Sequence, residues 1–214
     1  MPTMTTVRIK HHPCRKRLSV YINYNGEIEV RAPQNVSRNA IDQWLTQHQD
    51  WIKKQQDKWQ VSKQRLTDWY HPKKIIYRGT PYTYLSEGDH VRFETKTIRV
   101  PNSMGKEAFI AKHARLYLKE RCLDIAQHMG VIIQAIRIRK MKSCWGTYHR
   151  NQTITLNQAL IQVPDWVSDY VMVHECAHAT HFNHSAHFWS LVNEYTDHTK
   201  SAKKWLKDHQ MVLI

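Results

Sequence analysis

Apolar residues alternate with polar ones over Leu18, Val20 and Ile22 and again over Ile28 and Val30, with Asn25-Gly26 between the two runs. Period-two patterning around an Asn-Gly pair predicts a β-hairpin within residues 7–32, ended by Pro33. The period then changes. Ile41, Trp44, Leu45, His48, Trp51, Ile52 and Trp59 fall at helical spacing, so one long helix is expected over 37–65 with Ser37 as its N-cap. Its other face is rich in glutamine and lysine and reads as a solvated surface. Short strands follow over 74–100, broken at Gly79-Thr80-Pro81 and Glu87-Gly88-Asp89, and Pro101-Asn102-Ser103 marks a boundary.

Beyond that boundary a helix is expected over 106–129, with Phe109, Ala114, Leu116, Tyr117, Leu123 and Ile125 inward and Gly130 as its stop. Residues 136–139 and 153–156 read as strands joined by a turn at Trp145-Gly146. Tyr170-Val171-Met172-Val173 leads into a buried helix, followed by a helix over 185–193 and a helical tail over 201–210. These elements describe an α+β chain: a β-rich N-terminal region with a long helix over 1–101, then a C-terminal domain over 102–214.

The C-terminal domain carries the most specific chemistry. His174-Glu175-Cys176-Ala177-His178 is an H-E-x-x-H motif. Residues four apart on a helix stand one above the other, so His174 and His178 can present two imidazoles to one zinc ion. Glu175, one residue round, is placed as a general base for a water whose pKa zinc lowers from about 15.7 towards roughly 7. A third ligand is needed. His181 continues the helical face, whereas a turn at Asn183 would fold His184 back under the metal; Glu194 is the carboxylate alternative. The turn favours His184. The order helix, two strands, H-E-x-x-H helix is the layout of a zincin core, in which an edge strand can pair with an extended substrate. Residues 153–156 are the candidate for a strand near the cleft.

The formal charge of +14 and pI near 9.7 favour polyanionic partners, so nucleic-acid association through a basic surface is an expectation beside a protein or nucleotide substrate. The four cysteines are scattered without metal-type spacing, which suits reduced thiols and a cytoplasmic location. No apolar run is long enough for a membrane span, and no apolar stretch follows the basic N-terminus as a secretory leader requires.

Several further segments carry a resemblance. They are Arg15-Lys16-Arg17-Leu18-Ser19-Val20, Tyr77-Arg78-Gly79, Lys142-Ser143-Cys144-Trp145-Gly146, Leu156-Asn157-Gln158-Ala159-Leu160 and Asn183-His184-Ser185 with Phe188-Trp189. With the H-E-x-x-H motif they make the chain resemble the YgjP-like family of metal-dependent hydrolases, relatives of the SprT-like and WLM zinc metallopeptidases. The resemblance implies that His184 is the third ligand. It implies two chemistries, peptide-bond cleavage and nucleoside triphosphate pyrophosphate hydrolysis with UTP as substrate. The family usually has Trp-Gly-Ser-Cys where this chain has Trp145-Gly146-Thr147-Tyr148, so no role of that serine or cysteine carries over. Arg137, Arg139, Lys140 and Lys142 are expected to flank the cleft, and His187 and Tyr195 are expected as transition-state donors. Asp169, Glu194 and Asp197 are carboxylates that could orient a ligating histidine. A third reading is a nucleic-acid-binding module with a structural metal.

Overall fold

The computed structural model describes residues 7–22, 27–65, 71 and 73–213, and the chain divides into two compact units, Met1–Leu66 and Thr67–Ile214. In the first unit, β1 (Val7–His12), β2 (Ser19–Ile22) and β3 (Ile28–Pro33) form one sheet in the order β1-β3-β2. β2 and β3 are antiparallel, with Val20 opposite Val30, as the alternating pattern requires. The Asn25-Gly26 turn lies outside the described residues. β1 runs parallel to β3 on the other side, so β3 is central.

The expected helix over 37–65 is two helices, α1 (Arg38–Gln47) and α2 (Gln49–Arg65), broken at His48. Ser37 caps the first, its hydroxyl accepting from the Ala40 N–H at 3.3 Å. The break has a local cause. His48 Nδ1 lies 2.8 Å from the Trp44 carbonyl, taking the acceptor that the backbone N–H of His48 would use in a continuous helix. That N–H turns to Leu45 instead. Periodicity cannot register such a break, because Ile41 and Ile52 still reach one core with Ile28, Val30 and Ala32.

The second unit contains a four-stranded sheet of β4 (Lys74–Tyr77), β5 (Thr80–Ser86), β6 (Arg92–Phe93) and β7 (Thr97–Val100), in the order β4-β5-β7-β6. Ile75, Ile98 and Val100 from it form one core with Phe109 of α3 (Lys106–His128). The expected boundary at 101/102 therefore falls inside this unit, and the second β segment belongs with the motif-bearing part of the chain. α3 buries Phe109, Ala114, Leu118, Cys122, Ile125 and Ala126. Leu116 and Leu123, expected inward, are 63% and 53% exposed. The helix has apolar residues on more than one side, and only its packing partners choose the stripe. Gly130 ends the helix at φ 66°, a conformation that costs other L-residues about 1–2 kcal/mol.

A third sheet positions the site. β8 (Ala135–Arg139), β9 (Gly146–His149) and β10 (Thr153–Asn157) lie in the order β8-β10-β9. Trp145-Gly146 is thus not a turn between two strands but the entry to a strand of its own. Thr153–Asn157 is not an edge either: it is central, parallel to β8, antiparallel to β9 and buried throughout. Thr-Ile-Thr-Leu-Asn alternates as a half-exposed strand does, so the burial of its polar face could not be read from the pattern. The edges are β8 and β9. After a 3-10 turn (Gln158–Ile161) come α4 (Asp165–Ala177), α5 (Ala186–Tyr195) and α6 (Thr199–Leu213). α4 buries Val167, Val171, Met172 and Val173, each worth about 1.5–3 kcal/mol of apolar burial. Among the described residues no helix is long and apolar enough to cross a membrane.

Candidate metal centre

The motif lies on α4, whose first turn is fixed by a segment far away in the chain. Arg78 and Gly79 cross the end of the 3-10 turn, their N–H groups donating to Ile161 and Gln162 at 2.8 and 3.1 Å. Gly79 has φ 77°, and a Cβ there would stand 2.8 Å from Pro164 Cα. Only glycine permits both the backbone angle and this approach. The Arg78 guanidinium then forks onto Asp165, Nε to Oδ1 at 2.8 Å and Nη2 to Oδ2 at 2.5 Å, while Tyr117 donates to the same carboxylate at 3.1 Å. A carboxylate at the first turn also complements the helix dipole. One turn on, Arg121 of α3 grips Asp169 at 2.9 and 2.8 Å.

α4 ends at Ala177, with His178 as its cap, well before Asn183. His181 therefore does not continue the helical face. Its carbonyl oxygen instead sits 3.0 Å from His178 Nδ1 and closes the turn. That contact places the proton on Nδ1 and leaves Nε2 with its lone pair. The chain then brings His184 back: its Nε2 stands 3.1 Å from His174 Nε2. Ring centroids of the three histidines lie 4.9–5.0 Å apart. One ligand nitrogen from each of His174, His178 and His184 falls within 4.8 Å of the others.

Phe188 is the floor of this cluster. It is fully buried and its centroid is 4.7–4.9 Å from all three imidazoles. Trp189 is a wall, lying nearly parallel to His184 at 5.5 Å. Ser185 caps α5 through the Phe188 N–H at 3.4 Å and so directs both rings inward. Burial in this apolar surround, with His178, His184 and Lys203 adding to it, takes the His174 pKa down to about 3. Burial likewise lowers His178. Both are neutral at physiological pH, as metal ligands must be. His174 Nδ1 is buried with no hydrogen-bond partner among the described residues. Three converging imidazoles fit a zinc-type divalent ion, and among the described residues no fourth His, Cys or carboxylate joins the group.

Glu175 lies against β9. It is 6% exposed, and burial pushes its carboxyl up to about 8, with a hydrogen bond from the Tyr148 backbone offsetting part of the rise. Its neighbour is Gly146, where a Cβ would stand 2.7 Å from Glu175 Cγ and Oε1. Gly146 is held in place by Asn157. That side chain donates to the carbonyls of Met141 and Cys144 at 2.9 and 3.0 Å and accepts from Ala159 at 3.1 Å, while the Asn157 N–H donates to Trp145 at 2.9 Å. Phe188, Gly146 and Asn157 were absent from the site expected from sequence. All three lie in the segments that carry the family resemblance, the signal that could have found them.

The auxiliary candidates are not gathered here. His187 is exposed and stacks on His181 with centroids 6.2 Å apart. Tyr195 meets His128 edge-on at 5.5 Å, in a cavity of about 440 Å³ that contains none of the three histidines. Arg137 and Arg139 lie on β8, two strands from β9 and hence about 10 Å away across the sheet. Lys140 reaches Glu107 at 3.2 Å, and Lys142 is exposed. Asp169 serves Arg121 and not a histidine, and Glu194 and Asp197 are exposed.

Comparison with known proteins identifies the family. The family model described as YgjP-like, metallopeptidase domain, matches residues 16–209. No curated protein matches. Among solved structures, the metallopeptidase zymogen abylysin of Pyrococcus abyssi is similar at 22% identity, over 44% of this chain and 95% of that one, with a TM-score of 0.39. The metallopeptidase zymogen jannalysin of Methanocaldococcus jannaschii is similar at 21% identity, over 44% and 94%, with a TM-score of 0.38. With the family match running through nearly the whole chain, the protein belongs to the YgjP-like family of metallopeptidase domains.

Proposed function

We propose that this protein is a zinc-dependent hydrolase that cleaves peptide bonds, with His174, His178 and His184 holding the metal and Glu175 as general base. The observation that carries the proposal is the convergence of three imidazole nitrogens within 4.8 Å beside a buried carboxylate on the same helix. Zinc bound there would supply Lewis acidity, lowering the pKa of water from about 15.7 towards roughly 7. Glu175 takes a proton from the attacking water and hands it to the departing amine. Its burial suits that work, since a proton acceptor is most effective with a pKa near the operating pH. Gly146 leaves the carboxylate its place, and the Tyr148 backbone orients it.

The test compares zinc-loaded wild type with Glu175→Gln on a mixed peptide library and, in parallel, on the four nucleoside triphosphates. Peptide cleavage that falls at least a hundredfold in the variant, with zinc still bound, is the expected result for loss of a general base. Pyrophosphate release with the same dependence on Glu175 would replace the peptide reading with the nucleotide one. Nucleic-acid binding indifferent to Glu175, with neither hydrolysis, would point to a module with a structural metal. Three ligands rather than four count against that last reading.

A further inference from the structure

Lys203 lies on α6 beside the histidine cluster. Ala202 and Leu206 bury that helix against the core, which carries Lys203 over the Trp189 ring, with Nζ 3.3 Å from its centroid. The same indole stacks on His184 and lies 5.7 Å from the His174 ring. Some other basic side chains of this unit have a carboxylate partner, Arg78 in Asp165, Arg121 in Asp169 and Lys204 in Asp208. Among the described residues no carboxylate lies within ion-pair distance of Lys203, which lies against the indole face. A cation held by an aromatic ring, partly desolvated and without a counter-ion, is arranged to receive an anion from outside.

We propose that Lys203, held over Trp189, forms an anion subsite beside the three histidines that receives a carboxylate or phosphate group of the substrate. The proposal rests on the hydrolase reading for its purpose and on the geometry of Lys203 for its existence. Stacking on Trp189 limits the rotamers of a side chain that would otherwise sweep through solvent, so less entropy is lost when the anion docks. The shared chemistry has two sources. A free C-terminal carboxylate would make the enzyme favour bonds near the end of a peptide, whereas a phosphate would belong to a nucleotide.

The experiment titrates wild type, Lys203→Met, Lys203→Arg and the control Lys204→Met with N-acetylglycine, N-acetylglycinamide and inorganic phosphate, following the Trp189 indole N–H by NMR. Wild type is expected to bind at least one of the two anions but not the amide. Lys203→Met should weaken that binding by about tenfold, Lys203→Arg should restore much of it, and Lys204→Met should leave it unchanged. Anion binding that Lys203→Met does not alter, or no anion binding by wild type, overturns the proposal. The source is then read from turnover by the zinc-loaded protein. For a peptide carboxylate, the KM ratio of amidated to free-acid peptide falls about tenfold in Lys203→Met; for a phosphate, the KM for nucleotide rises instead. If wild type turns over neither class, the hydrolase reading fails while the titration still decides the subsite.

Discussion

Gly146 lies against the carboxylate of Glu175 so closely that a Cβ on the glycine would stand 2.7 Å from Oε1. One residue on β9 thereby sets where the proposed base can be. The blocked position is filled by the end of a side chain, so Gly146→Ala is expected to fold. Its cost falls on the base, which has to swing aside. A displacement of about 1 Å in a reacting group is worth roughly a hundredfold in rate, and that is the loss expected in kcat for Gly146→Ala. Zinc content measured on the same sample should be unchanged, since the three histidines do not touch Gly146.

Metal should stabilise the second unit by mass action. At a free zinc concentration of about a hundred times Kd, the gain is about 2.7 kcal/mol, or roughly 5–10 °C in Tm for a unit of this size. Calorimetric melts with zinc and with chelator check this for wild type. His184→Ala, which removes the proposed ligand whose Nε2 lies 3.1 Å from that of His174, should lose most of the difference.

At the start of α4 the two halves of one contact should differ in worth. The Arg78–Asp165 pair is well formed, but its side chains are 42% and 40% exposed, so solvent screening leaves Arg78→Ala costing less than about 1 kcal/mol. Gly79→Ala meets backbone at 2.8 Å and must also hold φ 77°. It should cost more than about 2 kcal/mol. Urea unfolding of the two variants ranks them, and the reverse order would place the arginine fork above the glycine.

The first unit should be sensitive to acid through Glu29. Its carboxylate, 8% exposed, accepts from Lys10 at 2.6 Å and Arg31 at 2.9 Å. The Lys10 hydrogen bond, reinforced by Arg31 and opposed by burial, holds its pKa below the usual 4.5. A carboxyl lowered in the folded state contributes stability above 4.5 that is lost as pH falls through the folded value. Hydrogen-exchange protection of the β1–β3 amides should therefore drop below about pH 4.5 in wild type. Glu29→Gln should start lower and show a shallower fall.

Local pattern carried much of this protein. Alternation around residues 18–30 was enough for an antiparallel pair, because a strand with one buried face must repeat every second residue. Ser37 and Gly130 announced helix ends through side-chain and backbone chemistry that acts within a few residues. The spacing of His174, Glu175 and His178 is a property of any helix, and the family membership follows from sequence alone.

What only the tertiary structure decided are relations between segments far apart in the chain. β10 proved central, with β8 and β9 as edges, because strand order depends on which partner offers free backbone groups, not on the strand's own residues. The imidazole of His48 split a helix that periodicity shows as continuous. Leu116 and Leu123 turned outward because α3 had apolar residues to spare and its partners chose the stripe. His184 was favoured over His181 for the wrong local reason: the helix ends at His178, where a carbonyl captures Nδ1, and not at Asn183. Phe188 beneath the histidines and Gly146 against Glu175 do their work by occupying, or vacating, a few ångströms of space. Spacing along a chain can say which side chains share a helix face; only packing in three dimensions says what stands opposite them.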